Sequence, residues 1–221
     1  TRIFSEDLTG SAKLYAKQAG VVAGLALVVQ VFCRVDPRIQ IRTLVKDGDE
    51  VNVGNIVIEL EGPLSSILQG ERTALNFLQH LSGIATATKR AVDQVAGLAT
   101  TIVDTRKTLP GWRALQKYAV RVGGGQNHRF GLYDAVMLKD NHLAAAGGLT
   151  EAVQRARAQI GHMVKIEVEC ETFEQVEEAV ACGVDVIMLD NMGVEDMRKA
   201  VSYIDHRAVV EASGGIHEET L

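Results

Sequence analysis

Short apolar segments alternate with helical patterns through the second half of this 221-residue sequence, and this rhythm restricts the possible fold more than any other feature. The predicted strands are residues 101–103, 135–138, 164–168, 186–189 and 208–210, and the predicted helices are residues 112–122, 150–160, 173–181 and 194–204. Alternating strands and helices are typical of a parallel sheet, and uninterrupted apolar strands indicate that both sheet faces are covered. The rhythm therefore predicts an α/β fold with an incomplete parallel β/α barrel. A doubly wound sheet is the lesser option, because no GxGxxG motif opens a helix.

The front of the chain has a different pattern. Strand-like segments at residues 11–18, 39–45 and 57–61 accompany an apolar helical segment at residues 21–34. Together they predict an N-terminal α/β sandwich domain over residues 1–68. Apolar residues then recur at helical spacing as far as Val95, so we expect connecting helices over residues 69–97, with a break at Gly83. Residues 98–221 form the predicted barrel domain.

Bulk properties exclude several classes of protein. The formal charge of −5 is unfavourable for binding a nucleic-acid backbone, so we expect no nucleic-acid partner. The longest apolar run, from Val21 to Cys33, is shorter than the roughly 20 residues that a membrane span needs. The three cysteines form no CxxC pair, as is usual for reduced thiols in a cytosolic protein. We therefore expect a cytoplasmic protein that does not insert into a membrane.

Polar or charged residues follow each of the five predicted strands. These residues are Asp104–Thr108, Lys139–His142, Glu167–Glu169, Asp190–Asn191 and Glu211–Gly215. The carboxyl ends of barrel strands meet at one rim, which is where β/α barrels hold their active sites. The sequence thus predicts a barrel enzyme whose active site is built from these segments.

A local excess of positive charge indicates an anionic ligand. Between Arg72 and Lys139 the chain has ten Lys or Arg residues and three Asp residues. A solvated helix face accounts for four of these cations, namely Lys89, Arg90, Lys117 and Arg121. Four others fall at the predicted rim, namely Arg106, Lys107, Arg129 and Lys139. The rim cations would repel one another without an anionic ligand, and pairing with Asp104 or Asp140 accounts for one or two of them only.

Other rim residues suit a phosphorylated sugar. Ser213-Gly214-Gly215 follows a late strand and resembles the turn with which many barrels hold phosphate through backbone N–H groups. Glu169 and Asp190 end neighbouring strands, where two carboxylates suit ribose hydroxyls or a hydrated Mg²⁺, or else neutralise the lysines. The glycine-rich loop of residues 123–129 either brings backbone close to a ligand or is a flexible connector.

Seven segments resemble the quinolinate phosphoribosyltransferase family, in that family's order and spacing. They are Glu71–Leu78, Asp104–Gly111, Gly123–Arg129, Leu138–His142, Glu167–Glu169, Leu189–Asn191 and Ser213–Ile216. The resemblance covers nearly the whole chain, and it implies an α/β sandwich followed by an open β/α barrel. In the family the chain starts slightly earlier and the barrel continues further. We therefore expect the C-terminal end of the barrel to lie outside this sequence.

The resemblance also implies an activity, which is transfer of the phosphoribosyl group of phosphoribosyl pyrophosphate to quinolinate with decarboxylation. The products are nicotinate mononucleotide, pyrophosphate and CO2, as in NAD biosynthesis. The implied ligands of quinolinate are Arg106, His128, Arg129 and Lys139, and Arg72 is donated across the interface of a homodimer. Those of phosphoribosyl pyrophosphate are Lys107, then Glu169 and Asp190 at the ribose and Mg²⁺, and Ser213, Gly214 and Gly215 at the 5′-phosphate. The catalytic residues are then Lys107, Glu169 and Asp190.

Three other interpretations are open from the sequence alone. A phosphoribosyltransferase for nicotinate or another pyridine monocarboxylate would need fewer cations around the base. A barrel lyase or aldolase would use Lys107 or Lys139 as a Schiff base, which demands a lysine in an apolar pocket. A non-catalytic binding module built on the first domain would leave the rim residues without a role.

Overall fold

A computed structural model describes residues 8–217 and residue 221. The chain divides into two compact units, Thr1–His128 and Arg129–Leu221. The described strands are β1 (Thr9–Tyr15), β2 (Gly20–Val21), β3 (Gln40–Thr43), β4 (Glu50–Val51), β5 (Ile56–Pro63), β6 (Val136–Leu138), β7 (Ile166–Cys170), β8 (Val186–Asp190) and β9 (Val209–Ser213). The described helices are α1 (Leu25–Val35), α2 (Leu64–Gln94), α3 (Arg113–Val122), α4 (Asp140–Ala146), α5 (Leu149–Gln159), α6 (Phe173–Cys182) and α7 (Val194–Ile204). Within the described ranges, none of the helices has the length and hydrophobicity to cross a membrane.

The first unit contains a three-stranded antiparallel sheet with β5 between β1 and β3, and a small ribbon of β2 and β4. Helix α1 begins where the Asp47 carboxylate accepts hydrogen bonds from the backbone N–H groups of Gly24 (2.9 Å) and Leu25 (3.0 Å). Such capping satisfies donors that the first helical turn leaves open. The helix then buries Val28 and Phe32 in the core of this unit. The predicted α/β layer is therefore present, although residues 20–21 form β2 rather than the start of the helix.

Helix α2 runs for 31 residues without interruption, so the predicted break at Gly83 is wrong. A Cβ at Gly83 would meet nothing within 4 Å, and a single exposed glycine costs a helix only about 1 kcal/mol. Gly70 has a packing role instead, because a Cβ there would lie 2.8 Å from the Phe32 ring. Glycine at this position lets α1 and α2 pack closely.

The predicted strand at residues 101–103 is reduced to one parallel bridge between Val103 and Gln126. The Gln126 N–H donates to the Ile102 carbonyl (2.8 Å), and the Asp104 N–H donates to the Gln126 carbonyl (3.1 Å). This bridge holds Asp104 against the glycine-rich loop that follows α3.

The second unit is built on a parallel sheet with the order β6-β7-β8-β9. Helices α5, α6 and α7 connect its strands, and the fully buried residues Val168, Ile187 and Leu189 contribute to its core. The strand order rises without a reversal among the described strands, as in a β/α barrel and unlike the switch point of a doubly wound sheet. Helix α4 is not among the predicted helices; its first residues belong to the polar segment that follows the predicted strand at residues 135–138.

Candidate active site

The segment after the Val103 bridge presents two adjacent cations, Arg106 and Lys107. Within residues 8–217, no hydrogen bond or ion pair is found for either side chain, and Nε of Arg106 is buried without a partner. Lys107 lines a pocket of about 200 Å³. A buried guanidinium N–H without an acceptor is unfavourable, so a ligand that accepts hydrogen bonds would stabilise this arrangement.

Helix α3 holds the backbone of this cationic segment. The Arg113 guanidinium donates to the Arg106 carbonyl (3.2 Å) and to the Thr108 hydroxyl (3.2 Å). One turn further along the helix, the Gln116 side-chain oxygen accepts from the Leu109 N–H (2.9 Å). The Arg106 carbonyl thus accepts a hydrogen bond from the protein, while the Arg106 side chain remains available to a ligand.

Lys117 does not lie on a solvated helix face, and that prediction is wrong. The residue is only 3% exposed, and its ammonium group pairs with the buried Asp104 carboxylate and donates to the His128 carbonyl (2.9 Å). Asp104 also accepts hydrogen bonds from the His128 N–H (2.9 Å) and from the Asn127 side-chain amide (2.6 Å). Asp104 is therefore committed to Lys117 and the loop rather than to the cations beside it.

One feature of the sequence pointed away from a solvated face. Helix α3 contains three cations, Arg113, Lys117 and Arg121, and no acid. It therefore offers none of the ion pairs at i, i+4 spacing that stabilise an exposed charged face. The position of the partner, Asp104, depends on the Val103 bridge, which local pattern does not reveal.

The buried positions of the glycine-rich loop are tightly packed, which is not expected of a flexible connector. A Cβ on Gly123 would lie 2.4 Å from the Ala85 carbonyl oxygen, and a Cβ on Gly125 would lie 2.8 Å from both Thr88 and Val120. These contacts belong to α2 and α3. The glycines therefore allow the loop to pack tightly on the two helices, which fixes the residues that follow it.

In the second unit, Lys139 and Glu169 form an ion pair across β6 and β7. The lysine side chain is 45% exposed, whereas the glutamate side chain is 11% exposed. Neutralisation of a lysine is one of the two roles predicted for Glu169. Here only one carboxylate oxygen, Oε2, is engaged, and no partner is found for Oε1 in the described part of the chain.

Asp190 ends β8, next to the strand that carries Glu169. Its Oδ2 accepts a hydrogen bond from the Asn191 amide (2.8 Å), while Oδ1 has no partner among residues 8–217. Open carboxylate oxygens at neighbouring strand ends are the kind of ligand that Mg²⁺ takes when substrate phosphates supply the rest of its shell. The donor set of Glu169 and Asp190 therefore fits that ion.

The end of β9 forms a tight turn beside Asp190. Ser213 pairs with Asp190 in the sheet register, and its carbonyl accepts from the Asn191 N–H (3.0 Å). Gly214 has φ 76°, and a Cβ there would lie 2.2 Å from the Asn191 side-chain oxygen. Only glycine fits this position, whereas a Cβ on Gly215 would meet nothing within 4 Å. The turn that is predicted to hold phosphate is thus closely packed at Gly214, with open space at Gly215.

The remaining residues considered are two predicted substrate ligands, Arg129 and Arg72, and one buried cysteine. Arg129 is anchored by donation to the Ala135 carbonyl (3.1 Å) and to the Met137 sulfur (3.1 Å). Arg72 is exposed on α2, and no ion pair is found for it in the described part of the chain. Burial, reinforced by the nearby Glu178 and Glu169 carboxylates, raises the pKa of the Cys170 thiol to about 12. This thiol is therefore protonated and is no nucleophile.

The family comparisons agree with the motifs. A model described as the N-terminal domain of quinolinate phosphoribosyl transferase matches residues 1–82, and one described as its C-terminal domain matches residues 84–221. The chain belongs to the quinolinate phosphoribosyltransferase family. The predicted resemblance and the α/β fold class are thereby confirmed, and the division between the two family domains falls at Gly83, within α2.

Individual relatives cover almost the whole chain. The probable nicotinate-nucleotide pyrophosphorylase (carboxylating) of Bacillus subtilis (strain 168) is 49% identical over 219 residues, which are 99% of this chain and 75% of that protein. Quinolinate phosphoribosyltransferase (decarboxylating) 2, mitochondrial, of Nicotiana glauca is 40% identical and matches 97% of this chain and 66% of its own length. The crystal structure of NadC from Streptococcus pyogenes superposes with a TM-score of 0.95 at 46% identity, covering 99% of this chain and 78% of that chain.

Proposed function

We propose that the protein transfers the phosphoribosyl group of phosphoribosyl pyrophosphate to quinolinate and releases pyrophosphate, CO2 and nicotinate mononucleotide. The observation that carries this proposal is the tandem of Arg106 and Lys107. Neither cation has an acid partner among residues 8–217, Nε of Arg106 is buried without an acceptor, and Lys107 lines a pocket. Two relatives, from Bacillus subtilis and Nicotiana glauca, bear the names of this activity. Quinolinate has two carboxylates and phosphoribosyl pyrophosphate is rich in phosphate, so both substrates supply anionic partners for these cations.

Recognition of quinolinate falls to Arg106, His128, Arg129 and Lys139. An arginine fork matches a carboxylate with two hydrogen bonds, and a lysine adds a compact charge. Lys139 already contacts Glu169, so it would exchange one carboxylate partner for another when quinolinate binds. Both partners are carboxylates, so this exchange keeps the ammonium group paired.

The transfer step needs electrostatic stabilisation rather than a protein nucleophile. The pyridine nitrogen attacks the anomeric carbon while the bond to pyrophosphate breaks, and positive charge develops on the ribose. Glu169 and Asp190 stabilise that charge, and Lys107 neutralises the departing pyrophosphate. Mg²⁺ held by Glu169 and Asp190, directly or through water, would add charge neutralisation at the phosphates. Ser213, Gly214 and Gly215 hold the 5′-phosphate through their backbone N–H groups.

Decarboxylation follows from the chemistry of the substrate. Once the ring nitrogen is ribosylated it is cationic, and the electrons of the breaking bond to the 2-carboxylate flow toward it. CO2 leaves and the ring carbon takes up a proton. The protein's part is to position and neutralise the reacting groups.

The decisive measurement is formation of nicotinate mononucleotide and pyrophosphate from quinolinate and phosphoribosyl pyrophosphate. Arg106→Ala should remove most of this activity, while Arg34→Ala, an exposed arginine of α1 in the same unit, should not. Turnover of nicotinate in preference to quinolinate would defeat the substrate assignment. Full activity in Arg106→Ala would instead defeat the assigned site, and a wild-type protein that forms no product would favour a non-catalytic binding module.

The lyase alternative finds no support in the environment of its lysines. A Schiff-base lysine needs apolar surroundings that lower its pKa. Lys107 is exposed, and Lys139 is half-exposed beside Glu169. Neither lysine lies in the apolar pocket that this chemistry needs.

We also propose a homodimer in the cytoplasm, with Arg72 completing the active site of the partner subunit. Arg72 is exposed on α2 and unpaired in the described part of the chain, as a residue donated to a partner would be before assembly. Mixing Arg72→Ala with Arg106→Ala protein, each of which should have lost most of its activity, tests this arrangement. Random reassortment should restore about a quarter of the wild-type activity, since half of the dimers are mixed and half of their sites are intact. Without any recovery, Arg72 acts within its own subunit.

A further inference from the structure

The peptide groups on both sides of His128 are held by one buried ion pair. The His128 N–H donates to Oδ1 of Asp104 (2.9 Å), and the His128 carbonyl accepts from the Lys117 ammonium group (2.9 Å). Asp104 and Lys117 in turn pair with each other, with 8% and 3% of their side chains exposed. Buried charge pairs have strong directional hydrogen bonds, so this arrangement fixes the backbone on both sides of one residue.

The Asn127 side chain joins the same network. Its amide nitrogen donates to Oδ2 of Asp104 (2.6 Å) and to the backbone carbonyl of Lys117 (2.9 Å). Asn127 therefore connects the loop, the acid and helix α3 with one amide group. Asn127 is itself exposed, so its contacts are not a requirement of core packing.

Asp104 also begins the cationic segment. Arg106 and Lys107 follow it in the chain, and the same pocket of about 200 Å³ is lined by Asp104, Lys107 and Lys117. One carboxylate thus links two segments that carry proposed substrate ligands, the segment of Arg106 and the loop that ends at His128. The link uses the backbone N–H and carbonyl of His128 and the side chains of Asp104, Lys117 and Asn127, which are not among the proposed substrate ligands.

We propose that Asp104, Lys117 and Asn127 are positioning residues, which hold His128 and the Arg106–Lys107 segment in the arrangement that binds quinolinate. This inference rests on the proposed function. The opposite charges of Asp104 and Lys117 supply a donor and an acceptor for the His128 peptide groups and cancel each other. These three residues, here called the clamp, therefore order the loop without changing the net charge that an anionic substrate meets.

The test uses Asn127→Ala, because Lys117→Met leaves a buried carboxylate without its cation and threatens the fold. The matched control is Asn55→Ala, which removes the hydrogen bond that the Asn55 side-chain oxygen accepts from the Asn52 N–H (2.8 Å) in an exposed turn. Quinolinate affinity is measured by calorimetry, KM and kcat by product formation, and folding by thermal denaturation. Misplaced ligand groups cost on the order of 10- to 100-fold, so Asn127→Ala should raise the quinolinate Kd and KM by that factor at an unchanged Tm.

Each outcome decides a separate point. Wild-type quinolinate affinity in Asn127→Ala overturns the clamp. A loss of affinity that comes with a matching fall in Tm, or that appears equally in Asn55→Ala, assigns a purely structural role and also overturns it. If the wild-type protein neither binds nor converts quinolinate, the proposed function fails, and the positioning role fails with it.

Discussion

Two lysine–carboxylate pairs, one in each unit, have the same chemistry but different surroundings. Lys117 and Asp104 are both buried, and the hydrogen bonds of each also reach the loop that ends at His128. Lys139 is half-exposed, and only one oxygen of Glu169 is engaged by it. The first pair is enclosed by protein, whereas the second has a cation that solvent or a ligand can reach.

The difference in solvation predicts different roles. Removing one member of a buried pair leaves the other charge desolvated and uncompensated, which is strongly unfavourable. An exposed cation loses little interaction free energy when its partner changes, because water screens its charge and the net free energy of such pairs is small. A buried pair therefore determines structure, while a half-exposed pair can exchange partners and bind a substrate.

The largest expected effect is on the buried pair. Lys117→Met should lower the free energy of unfolding by about 3–5 kcal/mol, because the Asp104 carboxylate stays buried without its cation. Urea denaturation measures this loss. Lys89→Met is the matched control, since its partners Asp93 and Glu50 are exposed, and it should cost no more than about 1 kcal/mol. Equal effects of the two substitutions would show that burial does not distinguish these pairs.

The second prediction concerns the half-exposed pair. Lys139→Met should weaken quinolinate binding about 10- to 100-fold, as expected for a lost hydrogen bond between charged groups, with an unchanged urea midpoint. Isothermal calorimetry gives the affinity. Lys165→Met, an exposed lysine of the same unit, controls for the loss of one positive charge. Unfolding of Lys139→Met would mean that this pair is also structural, and the proposed difference between the buried and the half-exposed pair would be wrong.

The third prediction, with a smaller effect, distinguishes the role of Glu169 from that of Lys139. Glu169→Gln should reduce kcat about tenfold, because the neutral amide stabilises positive charge on the ribose less well. It should not weaken quinolinate binding, since Lys139 is released from its partner. Steady-state kinetics together with calorimetry show both quantities. A fall in quinolinate affinity without a change in kcat would assign Glu169 to the base rather than to the sugar.

The sequence predicted secondary structure and candidate site residues well where these depend on local pattern. Helix α7 has the predicted bounds, and four of the five predicted strands form β6 to β9 with small shifts at their ends. Uninterrupted apolar segments record burial on both sheet faces, and polar residues mark the strand ends. The residues that end these strands, such as Lys139 and Asp190, were therefore found from the sequence.

The sequence was uninformative where a residue depends on a distant contact. Lys117 follows the pattern of an exposed cation, and only the bridge between Val103 and Gln126 brings its acid to it. The glycines at 123 and 125 suggested ligand binding or flexibility, yet they are required by packing on α2 and α3. Pairing across long separations decides these roles, and a single sequence contains no direct record of it.

The smallest effect comes from a third kind of pair, on the open face of the first sheet. Glu59 contacts Lys13 and Arg42, and the hydrogen bond from Lys13, followed by the charges of both cations, lowers the pKa of Glu59 below its ordinary value of 4.5. A depressed carboxyl pKa stabilises the fold above pH 4.5 and loses that contribution as pH falls through the folded-state value. Urea unfolding of Glu59→Gln should therefore differ slightly from wild type at pH 7 and converge with it in acid. The difference should also shrink in 1 M salt, since exposed pairs are screened. A difference that persists in acid or salt would mean that Glu59 behaves like the buried pair, and exposure would then be a poor guide to which carboxylates are structural.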